Sequence, residues 1–260
     1  MNIVFLGSGN TATVLAKHMR ACGHTILQVW SRTQTHAHAL ASVVEASVIT
    51  ELKDINKAAD ICVLAVNDAA VTEVASQLSL QRKIAVHTAG SVSMEVLRGA
   101  SPNYGVLYPL QSLRKEMDTI PEIPFLIDGN SNEVKVVLHD FAKTLSTAVS
   151  FAGDEERLHL HLAAVTVNNF TNHLYTLAAD FCEKSGVDFS LLQPLILETA
   201  QRIRLAAPSA LQTGPARRND AATIQKHLLL LREAPELQKL YQNFSDSIAS
   251  YYKNKELSSS

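Results

Sequence analysis

The 260-residue chain carries 23 lysine and arginine residues against 25 aspartate and glutamate, and 47% of it is apolar. That is enough apolar chain for one large or two modest domains with a substantial core. The formal charge of -2 excludes the polycationic surface that nonspecific nucleic-acid binding needs. Cys22, Cys62 and Cys182 are odd in number, widely spaced and set among apolar residues. This is the pattern of buried thiols in a reducing compartment, not of a disulfide framework or a zinc site. With no basic leader and no run of about 18 apolar residues, the sequence predicts a cytoplasmic protein with no membrane span and no metal.

From the first residue the chain alternates short apolar runs with helical patterns. NIVFL predicts a strand, Thr11 to Cys22 a helix, TILQVW a strand and Gln34 to Ser42 a helix; DICVLAV and KIAVHTA follow as strands. That rhythm predicts βαβ units in a doubly wound parallel sheet. No proline precedes Pro102, as suits central strands that use every backbone N–H. GVLYPL, PFLID and AVSFAG add strands, with Asn132 to Leu145 a helix between the last two.

After about Asp154 long helical patterns take over, running through EERLHLHLAAVTVNNFTNHLYTLAADFCEKSG, SLLQPLILETAQRIRLAA, DAATIQKHLLLLREA and PELQKLYQNFSDSIASYY. Gly186 predicts the first stop, Asp188 and Asp220 caps, and Pro235 a first helical turn. The closing KNKELSSS reads as a frayed tail. The expected organisation is an α/β dinucleotide-binding domain over 1–153 and an all-α substrate and dimerisation domain over 154–260. The apolar runs at 194–197 and 227–231 are more than a lone helical domain of that size readily conceals, so a homodimer is expected.

The first strand leads into Gly7-Ser8-Gly9-Asn10-Thr11-Ala12 and then a helix. A glycine turn between strand and helix aims backbone N–H groups and the helix dipole at an anion. Gly7 permits the turn, Gly9 lets a pyrophosphate approach, and Ala12 stands at the helix–strand packing point in place of a third glycine. An acid normally ends the second strand where the ribose 2′-hydroxyl of NAD is bound. Here Ser31, Arg32 and Thr33 stand instead, offering a guanidinium and two hydroxyls to a 2′-phosphate. The cofactor expected is NADP.

GSGNTA, WSRT, ICVLAVND and IAVHTAGSVSMEVL resemble the N-terminal half of pyrroline-5-carboxylate reductases and β-hydroxyacid dehydrogenases. With YGVLYPLQSL, HLAAVTVNNFTNHLY and LQTGPARRNDAATIQKHL, nearly the whole chain resembles the Rossmann-like plus DUF2520 family of NADP oxidoreductases, which has no settled substrate. The resemblance implies that Val66, Asn67 and Asp68 end the fourth strand beside the cofactor. It places Thr88, Ala89 and Gly90 at the end of the fifth, near the nicotinamide. Strand carboxyl ends are where open α/β sheets bind ligands, although Asp68 also suits a helix cap.

His161, Asn168 and Asn172 are seven and four residues apart, which places them near one helical face as candidate catalytic groups. Related dehydrogenases and ketopantoate reductases use a lysine four residues before the asparagine; Ala164 stands there. His161 and His87 are then the available groups of a type whose unperturbed pKa lies near neutrality, with Tyr108 a further option. Arg217 and Arg218, in a rigid turn before Asp220 and His227, suit a substrate carboxylate. Two functions are open: NADPH-dependent reduction of a small carbonyl or imine substrate bearing a carboxylate, a ketopantoate-like 2-keto acid among them, at a cleft between the domains; or an NADP-binding regulatory or assembly protein without turnover.

Overall fold

The computed structural model describes residues 1–258, and the chain divides into two compact units at Thr166/Val167. The first unit holds β1 (Asn2–Leu6), α1 (Asn10–Ala21), β2 (Thr25–Trp30), α2 (Gln34–Val44), β3 (Ser47–Val48) and β4 (Ile61–Leu64). It continues with α3 (Asp68–Ser76), β5 (Ile84–His87), β6 (Asn103–Pro109), β7 (Phe125–Gly129), α4 (Asn132–Leu145), β8 (Val149–Phe151) and α5 (Asp154–Ala164). The eight strands form one sheet in the order β3-β2-β1-β4-β5-β6-β7-β8. The order reverses between β1 and β4, which pair in parallel, and such switch points are where doubly wound sheets bind ligands.

The central strands are buried on both faces, which is why their sequences are continuous apolar runs and not alternating ones. Ile3 and Phe5 pack with residues of α1, α2 and α4, while Val4 and Leu6 face the opposite layer with Val71 and Val74 of α3. One pairing departs from the expected parallel sheet: β6 and β7 are antiparallel. No α-helix lies between Pro109 and Phe125, and a parallel neighbour would need a crossover, usually helical. The two-residue β3, which pairs only through Gln28↔Ser47 and Val29↔Val48, carries no sequence signal of its own.

The second unit holds α6 (Thr171–Lys184), α7 (Gln193–Arg202), α8 (Pro208–Leu211), α9 (Ala221–Leu230) and α10 (Pro235–Ser258). Asp188 accepts from the Ser190 N–H at 2.8 Å, and Asp220 from the Thr223 N–H at 3.0 Å. Pro235 opens α10. This helix runs through Lys253 to Ser258 where a frayed tail was expected, its i→i−4 ladder outweighing the polar composition; Ser259 and Ser260 lie outside the described residues. Among the described residues no helix is long and apolar enough to cross a membrane. Cys62 and Cys182 are buried and Cys22 is half-buried; all three are free thiols. Burial pushes the Cys62 thiol up to about 12.

Candidate active site

The turn after β1 is built for close backbone approach. Gly7 has φ +126°, its N–H donates to the Trp30 carbonyl at 2.8 Å, and a Cβ there would stand 2.2 Å from the Ala65 carbonyl oxygen. Only glycine fits that crossing of β4. A Cβ at Gly9 would meet no atom within 4 Å, so the space beside it is open. Gly9 begins α1 without a side-chain cap, and the first turn has no acid, leaving its N–H groups for an anion. The Asn10 side-chain oxygen accepts from the Lys115 N–H at 3.4 Å, and Thr11 is half-buried in that turn.

At the end of β2, Ser8 Oγ donates to Ser31 Oγ at 2.8 Å, and Ser31 Oγ accepts from the Thr33 N–H at 3.4 Å. Arg32 and Thr33 are exposed. They line a cavity of about 270 Å³ together with Gly7, Ser8, Gly9 and Val66. His36, one helical turn beyond Thr33, lines it too; its spacing alone carried no signal for that place. These residues fit a dinucleotide: an uncapped helix start, open space at Gly9, and a cation with hydroxyls where an acid would repel a 2′-phosphate.

Asn67, not Asp68, caps α3, its side-chain oxygen accepting from the Ala70 N–H at 3.0 Å. The cap is the residue before the first helical turn, and Asp68 is already inside it. Asp68 Oδ2 instead accepts from Ser91 Oγ at 2.6 Å, joining the start of α3 to the loop after β5.

At the end of β5, Thr88 and Ala89 are buried, and His87 is completely enclosed, its Nδ1 accepting from the Ala89 N–H at 3.2 Å. The ring hydrogen is therefore on Nε2. Burial, and then the Arg157 charge, push His87 down to about 4, so the ring is neutral at neutral pH and has no proton of suitable acidity to give.

A Cβ at Gly90 would stand 2.6 Å from His161 Nδ1 and 3.0 Å from Tyr108 Cζ. The bare glycine lets α5 bring the His161 ring edge-on to Tyr108 of β6, with Tyr108 Oη 2.9 Å from His161 Nδ1. Burial first, and Asp68 second, raise the Tyr108 pKa, while Arg157 opposes them. Arg157 is 1% exposed and donates to the Val92 carbonyl and to Asp154 Oδ1.

Asn168 and Asn172 belong to the second unit and are exposed. A π-helical segment, Val165–Phe170, intervenes between His161 and Asn172 and contains Asn168. The 3.6-residue period that put all three on one face does not run through it. The Arg217 guanidinium lies 4.5 Å from the Tyr252 ring centroid, Arg218 is exposed, and His227 Nδ1 is 2.7 Å from Tyr241 Oη.

A putative NADP oxidoreductase of Bacteroides fragilis superposes with a TM-score of 0.89 at 42% identity, over 96% of this chain and 98% of that one. The chain belongs to this family of NADP oxidoreductases. Residues 2–90 match the family model described as NADP oxidoreductase coenzyme F420-dependent, and 123–248 match a domain of unknown function, DUF2520. The first match lies wholly within the first unit. A pyrroline-5-carboxylate reductase of Streptococcus pyogenes shares the fold, with a TM-score of 0.64 and 14% identity over 96% of this chain and 98% of that one. So does a reductive aminase of Aspergillus terreus in complex with NADPH and ethyl-5-oxohexanoate, at 0.69 and 18% over 96% and 94%. No curated protein matches the chain.

Proposed function

We propose that this oxidoreductase uses NADPH to reduce the C=O or C=N bond of a small carboxylate substrate, a ketopantoate-like 2-keto acid or a cyclic imino acid. The carrying observation is the conjunction, within one unit, of the cradle at the end of β1 and a hydroxyl–imidazole pair packed on Gly90 at the end of β5. Bound NADPH would supply hydride to the substrate carbon, and the protein must supply a proton to the heteroatom. Ala164 has nothing to donate. The reductive aminase and pyrroline-5-carboxylate reductase with this fold motivate the imine side of the reading.

The cofactor contacts fall to Gly7, Ser8, Gly9, Asn10 and Thr11 at the pyrophosphate and to Ser31, Arg32 and Thr33 at the 2′-phosphate. Val66, Asn67 and the Thr88–Gly90 segment complete the dinucleotide's bed. His161 is the candidate catalytic group of α5, while His87, neutral and enclosed, serves to shape the end of β5. Asn168 and Asn172 offer exposed amides to orient substrate, and Arg218 offers its guanidinium to the carboxylate. Arg217 is engaged with Tyr252. The three free thiols suit work in the reducing cytoplasm.

The reading includes a homodimer. In the second unit only Cys182, Ala216, Leu231, Ser245 and Tyr252 are buried among the described residues, while Leu191, Leu205 and Leu230 are 72%, 84% and 68% exposed. A helical unit with so little core needs another apolar surface, and a second copy of the same unit supplies a self-complementary one. Light scattering at micromolar concentration should return twice the 28.3 kDa chain mass; a monomer mass would reject this part of the proposal.

Incubation with NADPH and a panel of 2-keto acids, β-keto acids and cyclic imines, followed by cofactor absorbance, tests the activity. At least one member should be reduced. NADPH should bind about 10- to 150-fold more tightly than NADH, the scale of one charge-assisted contact. Arg32→Ala should remove most of that preference, and an unchanged preference would contradict the role of Arg32.

A further inference from the structure

We infer that Tyr108 is the proton donor to the substrate heteroatom and that His161 positions its hydroxyl and reprotonates it from solvent. The inference rests on the reductase reading. The geometry is specific to this pair. Tyr108 stands on β6, 9% exposed, in a small apolar cluster with Val106, Leu126 and Ala152. Its ring is thereby fixed, and its hydroxyl is held 2.9 Å from His161 Nδ1. Gly90 is the floor beneath both rings, since any side chain there would displace His161.

When His161 Nδ1–H donates to Tyr108 Oη, the tyrosine's own hydrogen is turned away from the imidazole and is free for another acceptor. His87, the other imidazole at this strand end, is enclosed and has its Nδ1 committed to the Ala89 N–H. His161 is only half-buried, so its ring can exchange protons with water.

The substrate carbon takes hydride from the reduced dinucleotide, and the electron pair of the C=X bond moves onto the heteroatom. The Tyr108 O–H bond breaks as the X–H bond forms. Tyr108 Oη then takes the Nδ1 proton of the His161 imidazolium, and the ring left neutral regains a proton from solvent. The net change consumes one substrate, one NADPH and one proton and yields the reduced product and NADP⁺.

The charged groups that act on Tyr108 are Asp68 at the start of α3 and Arg157 on α5; His87 of β5, on which Asp68, Arg157 and Asp154 act, stands at the neighbouring strand end. Arg157 favours the transient tyrosinate, whereas burial and Asp68 keep the resting tyrosine protonated. A resting protonated phenol is the form a donor needs.

The test uses full-length protein with NADPH, the panel of 2-keto acids and cyclic imines, and the variants Tyr108→Phe and His161→Asn. Tyr108→Phe keeps the ring and should lower kcat about 100- to 10,000-fold, the usual contribution of a general acid, with NADPH affinity by fluorescence titration unchanged. The chemical shifts of the His161 imidazole should change in Tyr108→Phe, because a bonded partner is gone. His161→Asn should reduce kcat less and alter the pH profile of kcat, because the group that returns the proton to Tyr108 is gone. Turnover by Tyr108→Phe close to the parent rate, or an unaltered pH profile in His161→Asn, overturns the inference and leaves the reductase reading standing. A parent protein that binds NADPH and reduces no panel member overturns that reading, and the inference with it.

Discussion

Between pH 6.5 and pH 4 the protein should lose about 3 kcal/mol of stability through His87 alone, beyond what its carboxylates contribute. The folded state lowers this imidazole from 6.5 to about 4, first by burial and second through Arg157. Above pH 6.5 the ring is neutral in both folded and unfolded chains, so the stability is fully present. As the pH falls below that value the unfolded chain binds a proton that the folded chain refuses, and the deficit grows until the folded ring also protonates near pH 4. Urea unfolding at pH 7 and pH 4 should show His87→Gln gaining about 3 kcal/mol relative to the parent across that interval. Parallel pH dependences for the two proteins would mean that His87 titrates normally in the fold.

Gly7→Ala should destabilise the first unit by roughly 2 to 5 kcal/mol, combining backbone strain at a glycine-only φ with a forced shift of packed backbone. At φ +126° a Cβ falls 2.2 Å from the Ala65 oxygen, and that atom belongs to the chain leaving β4, so no side-chain rotation relieves the contact. Gly9→Ala is the matched comparison, because Gly9 has φ -75° and its Cβ would meet no protein atom. That variant should unfold at nearly the parent denaturant concentration and lose affinity for NADPH. A Gly7→Ala protein as stable as the parent, or a Gly9→Ala protein with intact affinity, would contradict the assignment of one glycine to the turn and the other to the ligand.

The contrast between what could and could not be read from the residues has physical causes. β1, β2, β4 and β5 announce themselves because strands covered on both faces are apolar throughout, and the glycine turn follows because a phosphate cradle needs backbone without side chains. The antiparallel pairing of β6 with β7 leaves no trace in the composition of either strand; its only signal is the missing helix between them. The contact of Tyr108 with His161 spans 53 residues of chain and depends on the bare Gly90, so periodicity along one element cannot find it. The expected common face of His161, Asn168 and Asn172 assumed an unbroken α-helical period, and the π-helical segment Val165–Phe170 interrupts it. His36 reaches the cavity lined by Arg32 and Thr33 from the first turn of α2, a position that any solvent-facing histidine could hold.

Hydride transfer can be followed directly with NADPH dideuterated at C4 of the nicotinamide, with product from the panel of 2-keto acids and cyclic imines examined by mass spectrometry and NMR. One deuterium should appear on the carbon of the former C=O or C=N bond. Saturating binding of the deuterated cofactor with no label passing to any panel member would contradict the reductase reading.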